Sequence, residues 1–289
     1  MTNTIMVGVD GSDHSLHAVE WATEEAARRG CSLRLVYAVA PWLYDTPVDP
    51  RAGAVREWLL TGGEEILEKA TAIAHERDAG VAVDGTVVPG PAAKSLLRQA
   101  EDCEMIVLAG RGANSVAGLL LGSVTFQVVS HSPVPAVIVR RPQPAVHREI
   151  VVGVDGSDTS CNAIGFAFEE AAMRKARLRA VRTWTHHTSA EPEDMRSLVH
   201  ESATARKAEE RLLAESLIGW REKFPDVHVI HDLVEGHAVQ ILSGASARAD
   251  LIVVGTRGRG GFPALLLGSV SHALLHHAHC PLAVVPPAS

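Results

Sequence analysis

The heptapeptide VGVDGSD stands at residues 7–13 and returns unchanged at 152–158, an offset of 145 positions. The hexapeptide LLLGSV at 119–124 returns at 265–270, an offset of 146. Between them, VVPGPA at 87–92 aligns loosely with VEGHA at 234–238. Length is therefore preserved to one residue over a whole half, and the period is far too long for a solenoid. The chain is expected to hold two copies of one domain of about 145 residues. Their expected bounds are 1–142 and 148–289, parted by RRPQPAVHRE at 140–149, where prolines and charges interrupt the apolar pattern. Any account of function has to serve both copies.

Each half alternates short β-rich runs with helical ones. The first half supplies IMVGV, LRLVYAV, VAVDGTVV, MIVLA and PAVIV; the second supplies IVVGV, LRAVRTW, VHVIHDLV, LIVVG and LAVV. Most are continuously apolar rather than alternating, which suits strands buried on both faces of a parallel sheet. Helices are expected over Ser15–Arg29, in a long stretch before Gly80, over Ala92–Asp102 and from about Ser123. A further amphipathic helix, SATARKAEERLLAESL, lies in a long insertion near 186–224 and is expected to cover the sheet. The fold class that follows is α/β: two tandem Rossmann-like domains, each an open five-stranded parallel sheet sandwiched by helices. Ligands of such a fold sit beyond the carboxyl ends of the strands, at a topological switch point.

Bulk properties exclude several partners. A net charge of −7 disfavours a general binder of nucleic-acid backbones, though not a small anion held by local backbone dipoles. Charges interrupt every apolar run before about 18 residues, so no membrane span is expected. The start MTNTIMVGVDG lacks the pattern of a signal peptide. The four cysteines, Cys31, Cys103, Cys161 and Cys280, form no CxxC pair and read as reduced thiols of a cytoplasmic protein.

The glycines carry the functional signal. The fourth strand of the second half runs into Gly255, Gly258 and, after nine intervening residues, Gly268-Ser269; the first half keeps Gly112 and, after nine intervening residues, Gly122-Ser123. Glycine lets backbone approach a ligand and adopt positive φ. A Gly-Ser step opening a helix presents unpaired amides at a positive dipole end. Such elements make a polyphosphate clamp without lysine, or else an ordinary turn with a serine cap. At the end of the first strand, Asp10 and Asp155 point to the same edge. A carboxylate there can accept from ribose hydroxyls or an adenine amine, help hold a metal, or close an Asx-turn. Asp13 and Asp158 are equally good turn or cap candidates.

Other patterns carry less. His272, His276, His279 and Cys280 have ligand-like spacing, but Phe126, Ser130 and Val134 stand opposite three of them in the sister copy, which favours packing over a metal site. GPAAKS lacks the P-loop core, and its partner has Gln240 for Lys94. The GxGxxG fingerprint fails at Pro263. Arg111 and Arg257 flank the glycines and read as phosphate contacts or solvated loop residues; His186 and His187 read as solvent-facing. No GxSxG elbow and no repeated Ser-His-Asp set is present, so no catalytic residue is assigned.

Taken together, the GVDGS first strand, the Gly-x2-Gly-x9-Gly-Ser loop and the closing HxxCPLAVV resemble the universal stress protein A family in its tandem form, over essentially the whole chain. The resemblance implies ATP binding, with Mg²⁺ as the divalent ion that commonly accompanies a triphosphate. It implies base and ribose contacts at Asp10 and Asp155, and base-flanking residues at Ala38 and Thr183. Phosphate contacts fall on Ala109, Gly112, Gly122, Ser123 and Thr125, and on Gly255, Gly258, Gly268, Ser269 and Ser271. Ala109 departs from the motif's first glycine, so the first site is expected to be weaker or altered. The implied role is a nucleotide-dependent regulator of stress adaptation or growth with little or no turnover. The alternative is a slow ATPase or an ATP pyrophosphatase-type enzyme, although DGSDHS does not match the loop of the latter group. The last strand of each half is an apolar edge. Family members join domains through it, which implies an intrachain pseudo-dimer, leaves a homodimer open and leaves the protein target unnamed.

Overall fold

The computed structural model describes residues 3–39, 50–112, 121–140, 145–185, 195–258 and 266–287. The chain divides into two compact units, 1–143 and 144–288. In the first the order is β1 (Thr4–Val9), α1 (Asp13–Arg29), β2 (Ser32–Val39), α2 (Pro50–Arg77), β3 (Val83–Pro89), α3 (Ala92–Ala100), β4 (Met105–Ala109), α4 (Ser123–His131) and β5 (Ala136–Val139). The second repeats it as β6 (Glu149–Gly153), α5 (Asp158–Arg174), β7 (Arg177–Trp184), α6 (Met195–Lys223), β8 (Val229–Glu235), α7 (Ala238–Ser246), β9 (Leu251–Gly255), α8 (Ser269–His277) and β10 (Leu282–Val285).

Within the first unit the strands lie side by side as β3-β2-β1-β4-β5, every pair parallel. Within the second the order is β8-β7-β6-β9-β10, again all parallel. Apolar runs explain the centre of each sheet: every residue of MIVLA in β4 is buried, as are the first four residues of LIVVG in β9. The outermost strands β3 and β8 carry Asp84, His231 and Asp232 and are only partly covered. After β3 the chain crosses to the far side of β1 to lay down β4, and β8 does the same relative to β6. Connections that leave in opposite directions open a crevice beyond the carboxyl ends of β1 and β4, and of β6 and β9.

Helix α1 begins two residues before the expected Ser15. The Ser12 Oγ accepts the Ser15 N–H at 3.2 Å and caps the helix, and Ser157 does the same for Ser160 in α5 at 3.3 Å. Asp13 therefore opens its helix rather than capping it, where its charge meets the positive dipole end. Farther along, in EEAARR and EEAAMR, the fold buries Glu25 and Glu170 completely, paired with Arg29 and Arg174 one turn on. Arg28 adds a second contact to Glu25 at 3.1 Å.

The amphipathic helix α6 buries Leu213 and Leu217. Phe168 of α5 is stacked with Trp220 and Phe224, its centroid 6.4 and 5.9 Å from theirs. His186 and His187 lie outside the described residues. Among the described residues, no helix is long and apolar enough to cross a membrane.

All four cysteines are free thiols, and only Cys161 is exposed. Burial, then the neighbouring Glu104, pushes Cys31 up to about 11; burial pushes Cys280 up to about 12. A raised pKa keeps these thiols protonated and unreactive at neutral pH. Alkylation of the native chain near neutral pH is expected to modify Cys161 alone, read by intact mass. Labelling of Cys280 before unfolding would contradict the packing described.

Candidate functional site

Each unit holds one cleft at its switch point. The N-terminal cleft encloses about 320 Å³ between Asp10, Ala38, Ala109, Gly112, Gly122 and the first turn of α4. The C-terminal cleft encloses about 490 Å³ between Asp155, Thr183, Gly255, Gly258, Gly268 and the first turn of α8. Every residue singled out from the sequence lines its cleft: Ser123 and Thr125 do so in one unit, Ser269 and Ser271 in the other. Both volumes fall in the range of about 300–1,000 Å³ typical of small-molecule sites.

The aspartates are built into the turn that follows the first strand. Asp10 Oδ1 accepts from the Ser12 N–H at 3.1 Å and from the Ser12 hydroxyl at 2.6 Å. Asp155 repeats this with Ser157 at 2.9 and 2.7 Å. Gly11 and Gly156, at φ 80° and 79°, supply the left-handed step that brings the chain round. The Asx-turn reading and a cleft-facing reading of the same carboxylate are thus compatible, since one oxygen closes the turn. The other oxygen faces the glycine loop. A β-carbon built on Gly112 would lie 2.5 Å from Asp10 Oδ2, and one on Gly258 would lie 2.4 Å from Asp155 Oδ2.

This changes the reason for the glycines. Among the described residues, none of Gly112, Gly122, Gly255, Gly258 and Gly268 has positive φ. Gly112 and Gly258 are needed for close approach to the aspartates, not for a left-handed backbone. Nor do Gly122 and Gly268 offer their own amides to the cleft. The Gly122 N–H donates to Gly110 O at 2.9 Å, and the Gly268 N–H to Thr256 O at 2.7 Å, closing each loop onto the strand exit. The middle of both loops, 113–120 and 259–265, lies outside the described residues.

The amides that remain are those of the following helix turn. The first intrahelical bonds are Phe126 N–H to Gly122 O and His272 N–H to Gly268 O, at 3.0 and 2.9 Å. The N–H groups of Ser123, Val124 and Thr125, and of Ser269, Val270 and Ser271, precede them and have no intrahelical partner. The Thr125 hydroxyl donates to Ala109 O at 2.8 Å, and the Ser271 hydroxyl to Gly255 O at 2.6 Å. These two side chains tie helix to strand, leaving the backbone N–H as the donor each can offer a ligand.

Ala109 ends β4 in register with Val139 and its methyl is buried in the wall. Its partner Gly255 has no room for a methyl: a β-carbon there would lie 3.0 Å from Thr159 O. The alanine stands in a unit where His14 takes the place of Thr159.

Sequence reasoning passed over the apolar wall. Ala92 and Leu96 of α3 line the first cleft, and Ala238 and Leu242 of α7 line the second. Ser15 and Ser160 line them too. All three pairs are identical in the two halves, and that identity was the available signal. His272 and His276, with ring centroids 5.2 Å apart, pack edge to face on α8. Among the described residues, no group of three or more His, Cys, Asp or Glu is placed to hold a metal.

Comparison with known proteins agrees with the internal repeat. The model of the universal stress protein family matches residues 1–140 and again 147–286. A universal stress protein of Mycobacterium tuberculosis is 36% identical over 299 positions, covering 97% of this chain and 94% of that one. One from Mycolicibacterium smegmatis is 31% identical over 292 positions, covering 98% and 97%. Among solved structures, a universal stress protein from Archaeoglobus fulgidus superposes with a TM-score of 0.65 at 19% identity, covering 99% of this chain and 97% of that chain, a likeness of fold.

Proposed function

The chain belongs to the universal stress protein family, and from that premise we propose that it is an ATP-binding regulator with little or no turnover. The observation that carries this reading is the pairing, in both units, of a strand-end aspartate with the bare first turn of a helix across a cleft of nucleotide size. The helix turn supplies amides and a positive dipole end for phosphate oxygens. The apolar wall of α3 or α7, with Ala38 or Thr183 opposite, receives the base. Asp10 and Asp155 stand where a ribose hydroxyl or a base amine would donate. A Mg²⁺ ion carried by the triphosphate would find one carboxylate per cleft, in keeping with its usual reliance on phosphate oxygens, waters and one or two carboxylates.

Slow turnover follows from the lining. Among the described residues, the charged side chains around the clefts are Asp10 and Arg111 in one, Asp155 and Arg257 in the other. Each aspartate is anchored by two donors from the adjacent serine. Hydrolysis needs an oriented water beside the terminal phosphate, and among the described lining residues no further carboxylate is present to act as its base. Bound nucleotide instead acts by favouring one arrangement of the loops after β4 and β9. Calorimetry with ATP is expected to show saturable binding without steady phosphate release. Rapid release that disappears in Ser269→Ala would turn the reading toward an enzyme.

A further inference from the structure

The two clefts differ at one place that bears directly on phosphate. Strand β5 ends at Val139, paired with Ala109, and the next residue is Arg140. Side chains two apart in a strand share a face. Leu108 is paired with Ile138, and both share their face with Gly110 and Arg140. A β-carbon built on Gly8 would touch Leu108 and Leu96, two residues of the cleft wall, so this is the cleft face of the sheet. A β-carbon built on Gly110 would lie 3.1 Å from Arg140 Cγ. The half-buried Arg140 therefore runs alongside the strand exit that leads straight into Arg111, itself part of the cleft lining.

Among the described residues, the second unit has no equivalent. The position of Arg140 is taken by Pro286, that of Gly110 by Thr256, and Arg257, the counterpart of Arg111, is exposed. Pro286 instead accepts a hydrogen bond from Asn162 at 3.2 Å. Two guanidinium groups held near each other repel, and burial adds to the penalty on their charge. For Arg140 burial first, and Arg111 second, both act against the charged form. An anion seated beside both groups would reverse the repulsion and use the planar donors of each.

Resting on the nucleotide reading above, we propose that Arg111 and Arg140 form a two-arginine anchor for the outer phosphates in the N-terminal cleft alone. That cleft then selects ligands by phosphate number, preferring nucleoside di- and triphosphates over monophosphates. The C-terminal cleft, with one exposed arginine and the helix turn, discriminates less. The expectation from Ala109 that the first site is weaker or altered then takes the form of a difference in selectivity.

The test uses the full chain with one cleft closed at a time, by Gly258→Val or by Gly112→Val. In the Gly258→Val background, calorimetry is expected to show Arg140→Gln weakening ATP by about tenfold or more and AMP by less than about threefold. Arg111→Gln is expected to give the same pattern, which guards against a folding defect peculiar to one variant. In the Gly112→Val background, Arg140→Gln is expected to leave ATP binding unchanged. Equal losses for ATP and AMP, or no loss, would overturn the anchor. Inorganic tripolyphosphate separates this inference from the reading beneath it. If tripolyphosphate binds in an Arg140-dependent way while no nucleotide binds, the anchor stands and the nucleotide assignment fails. If tripolyphosphate binding ignores Arg140, the anchor falls whatever nucleotide does.

Discussion

Gly258→Val is expected to silence the C-terminal cleft and to lower calorimetric stoichiometry from two nucleotides per chain to one. A β-carbon at this position would lie 2.4 Å from Asp155 Oδ2, inside any normal contact, and the valine methyls extend farther. Either the aspartate leaves its turn or the loop moves away from the helix start. Both outcomes disrupt the geometry on which ligand contact depends. Affinity in that cleft should fall by on the order of a hundredfold, about 2.7 kcal/mol. The fold should survive, because the residue is exposed in the loop beyond the end of β9 and not in the core. The same substitution at Gly112 should silence the other cleft, since a β-carbon there meets Asp10 Oδ2 at 2.5 Å. Retention of two full-affinity sites in Gly258→Val would mean that nucleotide sits elsewhere.

The second large effect concerns stability. Glu170→Ala is expected to lower the thermal midpoint by on the order of 10 °C, from a loss of about 3–5 kcal/mol. The carboxylate is fully buried, and its partner Arg174 keeps only 9% of its side chain exposed. Removing the acid leaves that cation without its charge partner in a place water reaches poorly, which is more damaging than never having had the pair. Glu170→Gln should lie between, since it retains an acceptor but not the charge. Glu25→Ala should behave alike, softened by Glu104, whose carboxylate lies 3.6 Å from Arg29 and stays as a partner. A midpoint shift of only one or two degrees in Glu170→Ala would show that the pair is solvated in solution.

What could be read from the sequence divides along physical lines. All ten strands were legible, because continuous apolar runs such as MIVLA and LIVVG have few alternatives in a chain of this composition. The clefts were legible too, through a motif written twice. The reason for its glycines was not. Asp10 and Gly112 are about a hundred positions apart, and only the crossover that sets β1 against β4 brings a carboxylate against a bare α-carbon. The start of α1 was misjudged by two residues because the cap is a side-chain hydrogen bond, invisible to hydrophobic periodicity, whereas the starts at Ala92 and Ser123 were legible. The burial of Glu25 and Glu170 was not legible, since burial on one helix face is decided by what the sheet presents to it. Arg140 sat in a stretch read as linker. Its meaning emerges only from strand parity and register, neither of which adjacency along the chain reveals.

The most direct test of the central claim is native mass spectrometry of the intact chain with increasing ATP. The expected result is two ATP masses per chain, one of them lost in Gly258→Val and the other in Gly112→Val. A spectrum that stays at the bare chain mass at saturating ATP, or that keeps both masses in each variant, would contradict the claim that these clefts hold nucleotide.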